Sequence, residues 1–408
     1  MTTNSIKCDV AIFGGGVAGL WLLAELRQQG FQTILFETDT LGAGQTRYAQ
    51  GIIHGGTKYA LMGKITASSE AISAMPIIWR DCIEGHGRLN LSSIKVLSKN
   101  QCMWSSNALS SKMAGFFASK MMRSRTTEIK KNQQPELFQN KLFKGNIYLL
   151  DEPVLDTASI VNALAKPHIE AIVPVKKLPD YSTTSNTNFN IEDRDGNQWQ
   201  VITQYTVLTA GQGNETLLKA LPERSDQLKS PTMQRRPLKM VMLRGNLPEK
   251  IYAHCLEANV NPRITITSHE DKNNNIVWYM GGQLAEEGVN RTNQEQVEYA
   301  KKELSALLPW LDLSHSEWAC LDIDRAEPLI DKGKRPDSSF FVEQDNIITA
   351  WPTKLALAPK LSDDIINTIK NKIAPSGLDV LPKFAEINFA LLPWQDENNW
   401  QQEESNER

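Results

Sequence analysis

Cysteine is scarce and scattered. The five cysteines, Cys8, Cys82, Cys102, Cys255 and Cys320, form no C-x-x-C pair, which argues against a disulfide framework and against a structural metal site. No apolar run reaches the roughly 18 residues a spanning helix needs. The apolar residues from Ile12 to Leu23 enclose a glycine turn, so they do not read as a secretory signal. An excess of one charge is also missing, because 44 Lys and Arg face 47 Asp and Glu for a formal net charge of −3. No basic run interleaved with aromatics points to nucleic acid. Together these absences suggest a cytoplasmic protein without a transmembrane segment, leaving room for peripheral contact at the inner membrane face. No repeat or domain-scale linker appears, and 408 residues suggest about two to three domains.

What is present is concentrated near the start. Val10 to Phe13 reads as a buried strand, followed by Gly14, Gly16 and Gly19. A helix follows from about Val17 to Gln29, then a strand at Thr33 to Phe36 that ends at Glu37. This is the order of a dinucleotide-binding βαβ unit. Gly14 makes the tight turn, Gly16 admits a pyrophosphate to the backbone, and Gly19 brings helix and strand together. The phosphates meet the free N–H groups and dipole at the helix start, around Val17 and Ala18. Glu37 suits ribose hydroxyls and repels a 2′-phosphate.

The next segment carries glycines at 42, 44, 51, 55 and 56 among Thr46, Arg47, His54, Lys58 and Tyr59. So much glycine in a polar loop implies backbone lying against a ligand. The run Gln50-Gly51-Ile52-Ile53-His54-Gly55-Gly56-Thr57-Lys58-Tyr59 resembles the flavin loop of the D-amino-acid oxidase superfamily, nearest its glycerol-3-phosphate and L-2-hydroxyglutarate dehydrogenase branch. The resemblance implies FAD as cofactor, with Thr46, Gly51, Ile53 and His54 along it.

Further segments carry the same resemblance. Residues 148 to 165, YLLDEPVLDTASIVNALA, combine a strand, an acidic turn and a helix that Asp156 or Thr157 could cap. Asp156-Thr157 stands where relatives have Asp-Pro. The strand Ile169 to Val175 implies backbone contact to adenine at Val175. Phe189 to Ile191 and Trp199 to Ile202 read as a hairpin turned at Asp195-Gly196. Tyr205 to Leu208 then leads into Ala210 and Gly211, which the resemblance places beside FAD. Near the end, Arg325, Pro328 and Asp331, then Ile347 to Ala350, then Leu357-Ala358-Pro359 match the superfamily's closing block. Its glycine-rich turn is replaced by Trp351-Pro352-Thr353-Lys354. Pro352 has no N–H to offer, so Lys354 could supply the positive charge instead, with Thr353 and Leu355 beside it.

The expected fold is α/β. A discontinuous Rossmann-like FAD-binding domain (1–88, 146–222 and 320–375) carries an inserted α+β substrate domain on an antiparallel sheet (89–145 and 223–319). A C-terminal extension (376–408) ends in a disordered tail. The expected activity is hydride removal from a small anionic CH–OH or CH–NH substrate, with oxygen or a quinone as electron acceptor. His54 is the candidate proton acceptor, Arg325 the anion clamp, and Lys354 the cation near flavin or substrate. The rivals are an amine oxidase acting on a larger or RNA-linked substrate, and a flavin-binding partner with little turnover.

Overall fold

The computed structural model describes residues 4–56, 71–105, 126–177, 188–220, 232–256, 262–330 and 338–400. Lys58, Tyr59, Asp331, the expected helix at 106–122 and the tail beyond 400 lie outside them.

Two sheets organise the chain. The first holds β1 (Asn4–Phe13), β2 (Thr33–Glu37), β8 (Ile172–Pro174), β9 (Asn188–Glu192), β10 (Gln198–Leu208), β16 (Phe340–Gln344) and β17 (Ile347–Trp351). Its order is β16-β17-β10-β1-β2-β8, with β9 paired to β10. The inner pairs β17-β10, β10-β1, β1-β2 and β2-β8 are all parallel. A parallel sheet needs apolar cover on both faces, and the period of two in β1 supplies it. Val10 and Ile12 join one core with helix α1 (Val17–Gln28). Ala11 and Phe13 join another with Phe36 and Phe189. The hairpin at Asp195-Gly196 forms as expected, but its second arm is continuous with the following strand, making β10 a single run. The expected strand at Ile169 to Val175 shrinks to β8, because Lys166–Ala171 turns as a 3-10 helix.

The second sheet holds β4 (Gln101–Ser105), β5 (Thr126–Glu128), β6 (Ile147–Leu150), β11 (Met233–Arg244), β12 (Ala253–Leu256), β13 (Ile264–Glu270), β14 (Ile276–Gly281) and β15 (Glu317–Pro328). Its order is β15-β11-β14-β13-β12-β4-β6-β5. Every pair is antiparallel except β12 with β4. Two strands cross the expected domain boundaries. β6 and β15 belong to this sheet, although residues from 146 and from 320 were expected in the other unit. The reason for β15 is its register, twelve residues zipped against β11 from Glu317 to Pro328. A short pair stands apart from both sheets, β3 (Val96–Ser98) with β7 (Val154–Leu155).

Helix α2 (Thr157–Ala165) starts where the acidic turn predicted, with Asp156 accepting from the Ser159 N–H at 2.7 Å; such a cap contributes about 1 kcal/mol. Helix α3 (Asn293–Leu307) has a Thr292–Glu295 capping box and packs Val297, Ala300 and Leu304 on one face of the second sheet. Helix α4 (Ala358–Lys370) lies with α1 over the first sheet.

The C-terminal stretch is ordered as far as Trp400, which corrects the expected disorder for residues 395–400. Ser376 bonds Asp9, Gly377 N–H donates to the Gly30 carbonyl, and Leu41 exchanges backbone bonds with Asn388 and Ala390. The chain then crosses to the second sheet. There Leu392, Trp394 and Trp400 are buried against Met240, Met242 and Tyr279. Gln395 to Trp400 is ordered because its one aromatic residue, Trp400, is buried in that cluster.

Candidate active site

The cofactor candidates converge where an open parallel sheet is expected to bind, at the carboxyl ends of its strands. Gly14 ends β1, Glu37 ends β2, Val175 follows β8, Ala210 and Gly211 follow β10, and Thr353 to Leu355 follow β17. Gly14 has φ +111, and a Cβ there would lie 2.6 Å from the Ala210 Cα. A Cβ on Gly19 would lie 2.1 Å from the Gly14 carbonyl oxygen. Both positions therefore demand glycine for the close packing of β1, α1 and β10.

Gly16 caps α1 without a side chain, and the first turn carries no acid. The helix start, with its free N–H groups and dipole, is thus directed at the strand ends without an acid of its own. Thr46 Oγ1 accepts from the Val17 N–H at 3.1 Å, and the Glu37 carboxylate accepts from the Gly15 N–H at 2.6 Å. The Val175 N–H donates to the Glu37 carbonyl at 2.9 Å. Beside Thr46, a shallow cleft is lined by Arg47 and Thr157. Arg47 Nε and Thr157 Oγ1 are buried there with no hydrogen-bond partner among the described residues. These features fit a dinucleotide: a pyrophosphate for the helix start, hydroxyls for Glu37, and polar atoms for the orphaned donors.

The run from Gln50 to Ile53 is held from two sides. Gly51 has φ +76 and its would-be Cβ lies 2.0 Å from the Leu155 carbonyl; the Leu155 N–H donates to Gly51, and the buried Ile53 donates to the Pro153 carbonyl. Gln50 Nε2 reaches the Thr265 and Tyr279 carbonyls, tying the loop to the second sheet.

His54 follows directly. Its Nδ1 lies 3.3 Å from Glu152 Oε2, and the other Glu152 oxygen accepts from the Gly55 N–H at 2.8 Å. The His54 side chain is 39% exposed and that of Glu152 only 5%. Burial pushes the Glu152 carboxyl up, but the hydrogen bond and charge of His54, then Gly55 and His254, outweigh it and hold it below the usual range. The ring of His254 lies 5.9 Å from that of His54 at an interplanar angle of 23°. His254 Nδ1 is 2.8 Å from Thr265 Oγ1. Ligand-type atoms of His54, Glu152 and His254 all fall within 4.8 Å of one another.

The other two catalytic candidates stand elsewhere. Arg325, on β15, donates to the Arg236 carbonyl at 3.4 Å and lies 4.0 Å from Glu286. Its neighbour Ala326 binds Gln45 of the loop after Glu37. Thr353 takes a left-handed φ of +61, and Lys354 caps a 3-10 turn, Leu355–Leu357, that leads into α4. Glu152 and His254 were not singled out from the sequence. Glu152 stood in the quoted acidic segment without a role, and His254 lies in a plain apolar strand that gives no signal.

Comparison with known proteins is consistent with this geometry. Residues 9–350 match the DAO family, described as FAD dependent oxidoreductase. The chain is 40% identical over 395 residues to the probable FAD-dependent oxidoreductase PA4991 of Pseudomonas aeruginosa, covering 96% of this chain and 98% of that one. The crystal structure of that protein superposes with a TM-score of 0.82 at 37% identity, over 96% of this chain and 99% of that one. Glycine oxidase from Geobacillus kaustophilus shares the fold, with a TM-score of 0.62 at 14% identity over 93% of this chain and 100% of that one. So does a Bacillus halodurans glycerol-3-phosphate dehydrogenase complexed with FAD, with a TM-score of 0.57 at 16% identity over 90% of this chain and 64% of that one.

Proposed function

The chain belongs to the DAO family of FAD-dependent oxidoreductases, and from that premise we propose that it oxidises a small anionic substrate at a CH–OH or CH–NH carbon. The cofactor is FAD, and when bound it supplies a two-electron acceptor for hydride. The glycine turn, Glu37, Val175, Ala210 and Gly211 hold it by backbone and carboxylate. Thr46, Gly51, Ile53 and the Thr353–Leu355 turn lie along it. His54 accepts the proton, Arg325 pairs the substrate anion, and Lys354 steadies negative charge.

One observation carries the reading: a half-exposed imidazole, backed by a buried carboxylate, directly after the loop held by Gln50 and Gly51. Proteins of similar fold divide between amines and alcohols, as the names glycine oxidase and glycerol-3-phosphate dehydrogenase indicate. The split of strands between the two sheets supports a discontinuous FAD-binding unit carrying a substrate unit. Among the described residues no helix is long and apolar enough to cross a membrane. The acceptor proposed for the reduced enzyme is oxygen or a quinone.

The test is an anaerobic screen of 2-hydroxy acids, amino acids and glycerol 3-phosphate, read by bleaching of flavin absorbance near ~450 nm, followed by mixing with oxygen. Bleaching by one class supports the reading. Bound flavin that no compound reduces sinks it.

A further inference from the structure

We propose that Glu152 and His54 form a proton-accepting pair, with Glu152 as its positioning residue, and that this pair fits the site to an alcohol rather than an amine. The inference rests on the function proposed above and narrows its substrate class.

The argument begins with what each substrate requires. When a neutral amine gives up hydride, the nitrogen lone pair becomes the second C–N bond and no proton has to leave. An alcohol differs. Hydride leaves carbon with two electrons for the bound FAD, the C–O bond becomes C=O, and the hydroxyl proton must go to a base. An ammonium substrate can lose its extra proton to water before it binds, so a site for amines can do without a built base, whereas a site for alcohols depends on one.

The structure has such a base. Glu152 comes from the turn before β7, and His54 from the flavin loop. The carboxylate gives one oxygen to the Gly55 N–H and the other to His54 Nδ1. Gly55 thereby fixes the rotation of the carboxylate, and the carboxylate fixes the imidazole with its proton on Nδ1. That leaves Nε2 as the basic atom of a side chain that is 39% exposed. Burying Glu152 costs solvation unless it is paired and hydrogen-bonded; here it is both. A Cβ on Gly55 would be crowded by Pro76 Cγ at 3.1 Å and would only touch Glu152 Oε1, at 3.4 Å, so the carboxylate is held here by its hydrogen bonds. His254, the third member of the cluster, is turned to Thr265 and helps hold the Glu152 charge.

Glu152→Gln is the discriminating substitution. The Gly55 N–H retains the amide oxygen, so the amide nitrogen faces His54 Nδ1 and donates to it. The imidazole is then forced into the tautomer with its proton on Nε2, which cannot accept another. Nitrogen-15 NMR of the FAD-loaded protein, with the His54 signals identified by their loss in His54→Ala, should show Nδ1–H in the parent and Nε2–H in Glu152→Gln. Flavin reduction by the hydroxy acid or glycerol 3-phosphate found in the screen should fall roughly 10³–10⁴-fold. Glu152→Asp, which keeps the charge, should recover part of it. An unchanged tautomer in Glu152→Gln overturns the positioning role. Bleaching by amino acids alone, undiminished in His54→Ala, overturns the substrate class but leaves the flavin oxidoreductase reading intact. Bleaching by neither class overturns both.

Discussion

The ends of the first sheet and the His54 cluster make sites in opposite ways. At the strand ends the working parts are backbone: N–H groups of a helix start, glycines without Cβ, and turns after β8, β10 and β17. Around His54 they are side chains contributed by a loop, a turn and β12. The sheets beneath differ in the same sense. The first is parallel at its centre and has apolar cores on both faces. One face of the second is covered by α3, and the other by the aromatic C-terminal strap. A backbone-built site tolerates no added atom, while a side-chain site tolerates shape changes but not changes of proton or charge.

Three substitutions would break or sharpen that contrast. Gly19→Ala should have the largest effect, because its Cβ meets the backbone oxygen of Gly14 at 2.1 Å and neither partner is a flexible side chain. A cost of about 3 kcal/mol and loss of FAD through gel filtration are expected, measured as flavin absorbance per protein. Normal loading would mean that the turn can relax.

His269 gives an intermediate effect confined to the second sheet. Its ring stacks on Trp394 at 3.6 Å, and burial, aided by the charge of Lys95, drives it from its ordinary 6.5 down to about 3. A group depressed on folding stabilises above its unfolded value and loses that contribution as pH falls. Stability should therefore drop between pH 6.5 and about pH 3, by about 1.4 kcal/mol per pH unit while the unfolded form takes the proton. His269→Phe should flatten that slope in urea titrations from pH 7 to pH 4. An equal slope in both proteins would assign the acid sensitivity elsewhere.

Glu397→Gln should matter least. Glu397 pairs with Arg244 at 3.1 Å but is 29% exposed, and Arg244 also holds Glu317. Below about 1 kcal/mol is expected, with flavin content unchanged in the same assay.

The same contrast explains what could be read from the residues. Gly14, Gly16, Gly19 and Glu37 were legible because a backbone site imposes a fixed spacing along one βαβ unit. Glu152 and His254 were not, because their role depends on tertiary approach to His54 across 98 positions for Glu152. Nor was the membership of β6 and β15, since either strand pattern suits either sheet until pairing decides. The tail was misread because polar residues from Gln395 onward hide the single Trp400 that anchors them.

The strap from Ser376 to Trp400 has a consequence for how the protein is made. It follows both sheets in the order of synthesis, yet it is sewn to Asp9, Gly30 and Leu41 at one end and to His269 and Arg244 at the other. A nascent chain that has reached residue 370 already contains every described strand, yet lacks Leu392, Trp394 and Trp400, which complete the cluster around Met242 and Tyr279. The last part of that core can therefore close only after the strap has been made.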